Sequence, residues 1–206
     1  MTSIILSYFD SPGRAEPVRI ALRLAGLAFT DRRLSYPAFA EAKAAGAFPL
    51  GSVPVLEVDG HVFTQTGAML RFAARSGAPW LYPSDPAAAL RVDSALDTFN
   101  DTLSHALTPS LFERDPARKL ELRAAFAAGP MARGYAYVEG LIALGGGVYV
   151  GGAEPSIADL VIAHQVESIR AGGLDGLTEA HLAPYPRIVA AAEALRADAR
   201  VQAARS

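Results

Sequence analysis

The hydrophobic period of this chain changes once, at a proline-rich stretch, and that change constrains the fold more than any other feature. Before "GAPWLYPSDPAA" (Gly77 to Ala88), short apolar runs alternate with helical patterns. After it, helical periodicity continues with no convincing strand. "SIILSYF" reads as a strand centred on Ile4, Ile5 and Leu6. "RAEPVRIALRLAG" reads as a helix, because Val18, Ala21, Leu22 and Ala25 recur on one face and Gly26 supplies a stop. "FTDRRLSY" alternates as a second strand, and an Ala-rich helix follows from Pro37 to Gly46. The run Val55 to Val58, the Asp59-Gly60 pair and "HVF" form a hairpin with a strong turn signal. Thr66 then caps a helix that turns Met69, Leu70, Phe72 and Ala73 inward.

The order βαβα followed by ββα predicts a small four-stranded sheet, part parallel and part antiparallel, packed with helices. The expected organisation is an α/β domain over residues 1–78, a linker over 79–86 and an all-helical domain over 87–206. In the second part, "AALRVDSALDTFNDTLSHAL" and "ARKLELRAAFAAGPMARGYAYVEGLIAL" are long helical stretches, the latter interrupted at Gly129-Pro130. "PSIADLVIAHQVESIRAG" is another helix, with Ser156 and Asp159 as its capping box, and "PRIVAAAEALRADARVQAA" closes the chain.

Composition removes several classes of chemistry. A net charge of −2 makes no electrostatic case for nucleic acid. No run approaches the roughly 18 apolar residues of a membrane span. "MTSIILSYFD" lacks a basic n-region, so the expectation is a cytoplasmic protein. The chain has no cysteine, which excludes disulfides, thiolate metal sites and a C-x-x-C reductase. His61, His105, His164 and His181 are far apart without ligand spacing, so no metal is expected.

The opening turn then stands out. "LSYFDSPGRAEP" puts Tyr8 at a strand end and Arg14 at a helix start, with a Pro-Gly turn between them. A cation is unfavourable where the helix dipole is already positive, which argues for a functional arginine. Pro54 cannot donate to a ladder, so it should begin a strand. It is a candidate for a cis peptide that turns the Val53 backbone outward; the alternative is a plain trans proline ending a loop. Gln65 and Thr66 at a helix N-terminus supply an amide, a hydroxyl and backbone N–H groups, a natural carboxylate cradle.

Taken in order, these segments resemble the cytosolic glutathione S-transferase family, of the tyrosine-type, Sigma-like kind. "SYFDSPGRAEPVRIAL" is similar to the family's Y-F-x-x-x-G-R-A-E segment, and "GSVPVLEVDG" to its cis-proline strand. "TQTGAMLRFAA" is similar to its Q-S-x-A-I-x-R-Y-L-A helix start, "VDSALDTFND" to the first long helix of the Sigma-like branch, and "SIADLVIA" to its capping-box helix. The resemblance spans the chain. It implies a thioredoxin-like first domain that binds glutathione as co-substrate, and a helical second domain that contributes the electrophile pocket and the contacts of a homodimer.

The implied activity is a transferase joining the glutathione thiolate to apolar electrophiles, in the manner of a detoxification enzyme. A glutathione-dependent isomerase or peroxidase would use the same thiolate, and the scaffold also suits a non-catalytic ligand-binding or structural protein. Residue by residue, the resemblance makes Tyr8 the donor to the glutathione sulfur and Arg14 its neighbour. A free thiol titrates near ~8.5, so a donor aimed at sulfur favours the nucleophilic thiolate at neutral pH. Ser11 is the competing activator, but Tyr8 with Arg14 follows the tyrosine-type spacing and Ser11 before Pro12 suits a turn. Gln65 and Thr66 would hold the γ-glutamyl carboxylate, with threonine standing where the family carries serine. Val53, preceding Pro54, would pair with the cysteinyl backbone. Tyr36 and Lys43 would meet the glycyl carboxylate, although Sigma-like members carry tryptophan at the place given to Tyr36. Asp101, one helical turn after Asp97, would reach across a dimer to the γ-glutamyl ammonium. Phe9, Leu107, Leu111 and Phe112 would line the electrophile pocket.

Overall fold

A computed structural model describes residues 2–205. Its backbone divides into two compact units, residues 2–79 with 204–205, and residues 80–203.

The first unit holds the strands β1 (Ile4–Phe9), β2 (Thr30–Leu34), β3 (Val55–Val58) and β4 (His61–Phe63), and the helices α1 (Glu16–Leu24), α2 (Tyr36–Ala44) and α3 (Thr66–Gly77). The sheet order is β2-β1-β3-β4. β1 pairs parallel with β2 and antiparallel with β3, which continues into the β3–β4 hairpin. This is the expected mixed sheet. Asp59 and Gly60 both have positive φ, 49° and 81°, as a two-residue turn of this twist requires. α1 and α3 pack so closely that a Cβ on Gly77 would run into the Ala25 carbonyl. Thr66 is the first residue of α3 rather than its cap; Gln65 takes the cap position and its side chain makes no capping bond.

The second unit is helical: α4 (Pro86–Asp97), α5 (Ser104–Phe112), α6 (Pro116–Phe126), α7 (Ala132–Gly145), α8 (Ile157–Arg170), α9 (Pro186–Ala197) and most of α10 (Ala199–Arg205), whose last two residues count with the first unit. Asp-Pro doublets start two of them. Asp85 accepts the Ala88 N–H and Asp115 the Arg118 N–H, while Pro86 and Pro116 occupy the first turn, where no N–H is needed. The expected interruption at Gly129-Pro130 is milder than a break. The chain stays helical through a π-turn over Ala127–Met131 that absorbs the proline, which can donate no bond. A second π-turn, Thr98–Leu103, joins α4 to α5. The closing stretch, read as one helix, is two. Asp198 is extended at ψ 120° and accepts the Arg200 N–H, ending α9 and starting α10.

At the start of α8 the capping box forms as expected. The Ser156 N–H and hydroxyl both donate to Asp159 Oδ2, at 2.8 and 2.6 Å, and the Val150 N–H donates to Oδ1 at 3.1 Å. Asp159 is fully buried, and burial pushes its carboxyl up to about 6 against the pull of those donors. The native state therefore holds this proton more tightly than the unfolded chain, whose aspartates titrate near ~3.9. The stability it contributes is complete below the unfolded value and is lost as pH rises through about 6. Urea denaturation from pH 4 to pH 7 should show wild type losing about 2 to 3 kcal/mol relative to Asp159→Asn, which does not titrate.

Candidate active site

The sheet register brings one set of expected residues to a single end of the first unit. Ser7 of β1 lies opposite Val55 of β3, so Tyr8, at the exit of β1, sits beside the entry of β3 at Val53-Pro54. Leu56 lies opposite Phe63, so β4 returns the chain to that same end just before Gln65 and Thr66. Three loops converge because one strand ends, one begins and a helix starts there.

Tyr8 is half-buried against Phe48, Val53 and Val55, with the Phe9 ring edge-on at 5.4 Å. Its Oη accepts the Arg14 backbone N–H at 3.3 Å. The two residues singled out in the opening turn thus meet, but through the Arg14 backbone and not its guanidinium. The guanidinium turns to the loop before β3, where Nη2 donates to the Val53 carbonyl at 3.3 Å. Because Oη is an acceptor towards Arg14, its own proton remains to be donated elsewhere.

This contact depends on Gly13. Its φ of +42° belongs to the left-handed region, and a Cβ there would lie 2.5 Å from Tyr8 Oη and 2.7 Å from the ring. The phenol lies directly over the turn, in space that only glycine leaves open.

The Val53–Pro54 peptide is cis, and Pro54 immediately precedes β3. Gln65 has φ 74° and ψ 110°, a region that a non-glycine residue enters only under constraint from its surroundings. α3 begins directly after it, so the N–H groups of its first turn lack intrahelical acceptors and carry the positive end of the helix dipole. That arrangement suits a carboxylate.

On α2, Tyr36 is 77% exposed and its ring packs on Phe9 at 4.9 Å. Phe39, which the sequence did not single out, links Phe9 to Phe48 by ring contacts of 5.1 and 5.4 Å. The exposed Lys43 ammonium lies 5.8 Å above the Phe39 ring, and its side chain runs beside Gly51. Phe9 is thus in ring contact with Tyr8, Tyr36 and Phe39.

The remaining expected residues belong to the second unit. Asp101 is exposed within the π-turn that joins α4 to α5, and its carbonyl meets His105 Nδ1 at 2.7 Å. The π-turn also breaks the simple relation to Asp97, because residues four apart share a face only in an α-helix. On α5, Leu107 is buried, Leu111 is half exposed and Phe112 is 79% exposed.

Arg19 is not among the residues that the sequence motifs single out. It sits on the apolar stripe of α1, four residues after buried Ala15 and three before buried Leu22, and is itself 1% exposed. Its Nε donates to both oxygens of Asp31 on β2, at 3.2 and 3.0 Å. Its Nη1 donates to the Ser11 and Pro12 carbonyls and to Glu16. The guanidinium carbon is 5.9 Å from the Tyr8 ring centroid. An arginine in an apolar stripe, with an aspartate on the next strand, was the available signal. No group of three or more potential metal ligands occurs among the described residues.

Comparison with known proteins bears on the family and the fold. Residues 5–75 match the family model of the glutathione S-transferase N-terminal domain, and residues 100–204 that of the C-terminal domain. The chain is 32% identical over 168 residues to glutathione S-transferase 1 of Ascaris suum, covering 79% of this chain and 78% of that protein. The crystal structure of a monomeric glutathione S-transferase from the hookworm Necator americanus superposes with a TM-score of 0.82 at 26% identity, over 98% of this chain and 95% of that one. A prostaglandin synthase D structure from Nilaparvata lugens gives 0.82 at 25%, over 98% and 96%.

Replacing Gly13 tests the turn directly. Gly13→Ala should cost about 1 to 2 kcal/mol from its left-handed backbone. It should also displace the Tyr8 ring, which is read as faster hydrogen exchange at the Arg14 amide while the amides of β1 stay protected.

Proposed function

The chain belongs to the glutathione S-transferase family, and from that premise we propose that it activates glutathione with Tyr8 and transfers the thiolate to apolar electrophilic carbon. The observation that carries this reading is the Tyr8 hydroxyl, whose oxygen accepts the Arg14 N–H over Gly13. With that acceptor role filled, the phenolic proton is available to a sulfur placed at the end of the sheet. A hydrogen bond donated to the charged form favours that form, so the bound thiol would ionise below its free value near ~8.5. The nucleophile would be the thiolate, and the electrophile's leaving group or opened bond would take up the displaced electron pair.

In the same reading Gln65, Thr66 and the first N–H groups of α3 receive the γ-glutamyl carboxylate. Val53 and Pro54 present backbone to the cysteinyl unit, and Lys43 and Tyr36 serve the glycyl carboxylate. Arg14 holds Val53 in place through its guanidinium and Tyr8 through its amide. Phe9, half-buried beside Tyr8, offers the apolar surface it leaves uncovered to the second substrate, and Leu107, Leu111 and Phe112 are the helical residues assigned to the same task. The tyrosine-type, Sigma-like assignment, a cytoplasmic setting, a detoxifying role and a homodimer in which Asp101 serves the neighbouring site belong to this reading. The likeness to a prostaglandin synthase supports a second reading, a glutathione-dependent isomerase, which would use the same thiolate.

Ultraviolet titration of bound glutathione is the direct test. Wild type should show thiolate absorbance at neutral pH. Tyr8→Phe should lose it and slow conjugation by about a hundredfold. A wild-type midpoint at the free-thiol value would end the proposal. In light scattering the chain should run as a dimer; a monomer would remove Asp101 from the site.

A further inference from the structure

We propose that Arg19 is a positioning residue for the Tyr8 hydroxyl, acting through the turn that carries Gly13 and Arg14. The contacts form a chain with no gap. Asp31 is fixed by the sheet, opposite Leu6 of β1, and takes two bonds from Arg19 Nε. The guanidinium so oriented reaches Ser11 and Pro12 with Nη1, at 3.0 and 3.1 Å. Those two carbonyls lie immediately before Gly13, and holding both sets the plane of the turn. The next amide is that of Arg14, which meets Tyr8 Oη. The same guanidinium lies 5.9 Å from the ring it indirectly aligns.

Geometry, not field, carries the effect. Arg19 faces Asp31 and Glu16, and Arg33 shares Asp31 Oδ2 and reaches Asp10 at the solvent edge, so two cations meet two sheltered carboxylates and a third that water screens. The cluster presents little net charge to the phenol. What distinguishes arginine here is its planar fork, which can bond a carboxylate on one edge and two carbonyls on another; a lysine ammonium cannot do both.

A purely structural role fits less well. Nη2 is buried with no hydrogen-bond partner among the described residues, so the fold carries a desolvated donor that an apolar side chain of similar length would not impose.

The test has one readout that needs no ligand and one that rests on the glutathione reading. In the ligand-free chain, Arg19→Lys should speed hydrogen exchange of the Arg14 amide by about tenfold while the β1 amides stay protected. Unchanged Arg14 exchange would overturn the proposal. With glutathione bound, Arg19→Lys should raise the thiolate titration midpoint by about one pH unit, and should add nothing in a Tyr8→Phe background. A midpoint that stays put while only the melting temperature falls would reduce Arg19 to a folding residue, as would an equal shift without the Tyr8 hydroxyl. Should Arg19→Lys fail to fold, Asp31→Asn loosens the same guanidinium and should give smaller changes of the same sign in both readouts. If wild type itself shows no bound thiolate, the glutathione reading falls, and Arg14 exchange still decides the role of Arg19.

Discussion

The buried guanidinium of Arg19 joins three pieces of chain that would otherwise be independent: the first turn of α1, the strand β2 and the loop leaving β1. A cation in that position is tolerable because acceptors surround it, including two carboxylates and two main-chain carbonyls. Removing one partner of such a cluster commonly costs about 3 to 5 kcal/mol, since the remaining charge stays buried. The loop is therefore held from within. Its outer surface, where Gly13 leaves room for the phenol, is free to be shaped for chemistry.

Two further devices at the same end of the sheet follow this pattern of support from behind. Arg14 spans the gap from the turn to the Val53 carbonyl, so the loop before β3 is tied to the loop after β1. Gln65 takes a sparsely populated backbone conformation between the hairpin before it and the helix after it. In each case the position of a polar group is set by the elements on either side of it. Rigid placement of donors is how a site stabilises developing charge without reorganising during the reaction.

The helical unit solves a different problem, continuity. Its two π-turns let α4 run into α5 and α6 into α7, even though Pro130 cannot donate a helical bond. Asp159 anchors the start of α8 to Ser156 and to the Val150 amide, and its burial couples that anchor to pH. A buried carboxyl in a cap makes the helix start specific, at the expense of a titration that an exposed cap would not show.

Much of this was readable from residue order alone. The period change near Gly77 separates strand-bearing from helical chain, because a sheet face and a helix face impose different spacings on apolar residues. The Asp59-Gly60 turn and the Ser156–Asp159 box follow from local chemistry that neighbours in sequence supply, the mixed four-stranded sheet from the order of the elements, and the family from the resemblance of its motifs. Other features did not. Of the two π-turns, the one over Ala127–Met131 is marked in the sequence by Gly129-Pro130, though as a break, whereas Thr98–Leu103 lies inside a stretch that reads as one continuous helix. The split at Asp198 was hidden by unbroken alanine-rich periodicity, although its carboxylate caps the next helix. At the site, Tyr8, Arg14 and Gln65 could be named, but not that Arg14 would use its backbone towards Tyr8 and its side chain towards Val53. Arg19 is hard to recognise in the sequence for the same reason. Its partners lie on another strand and in a turn, and a buried cation is recognisable only once the acceptors that surround it have been brought together in space.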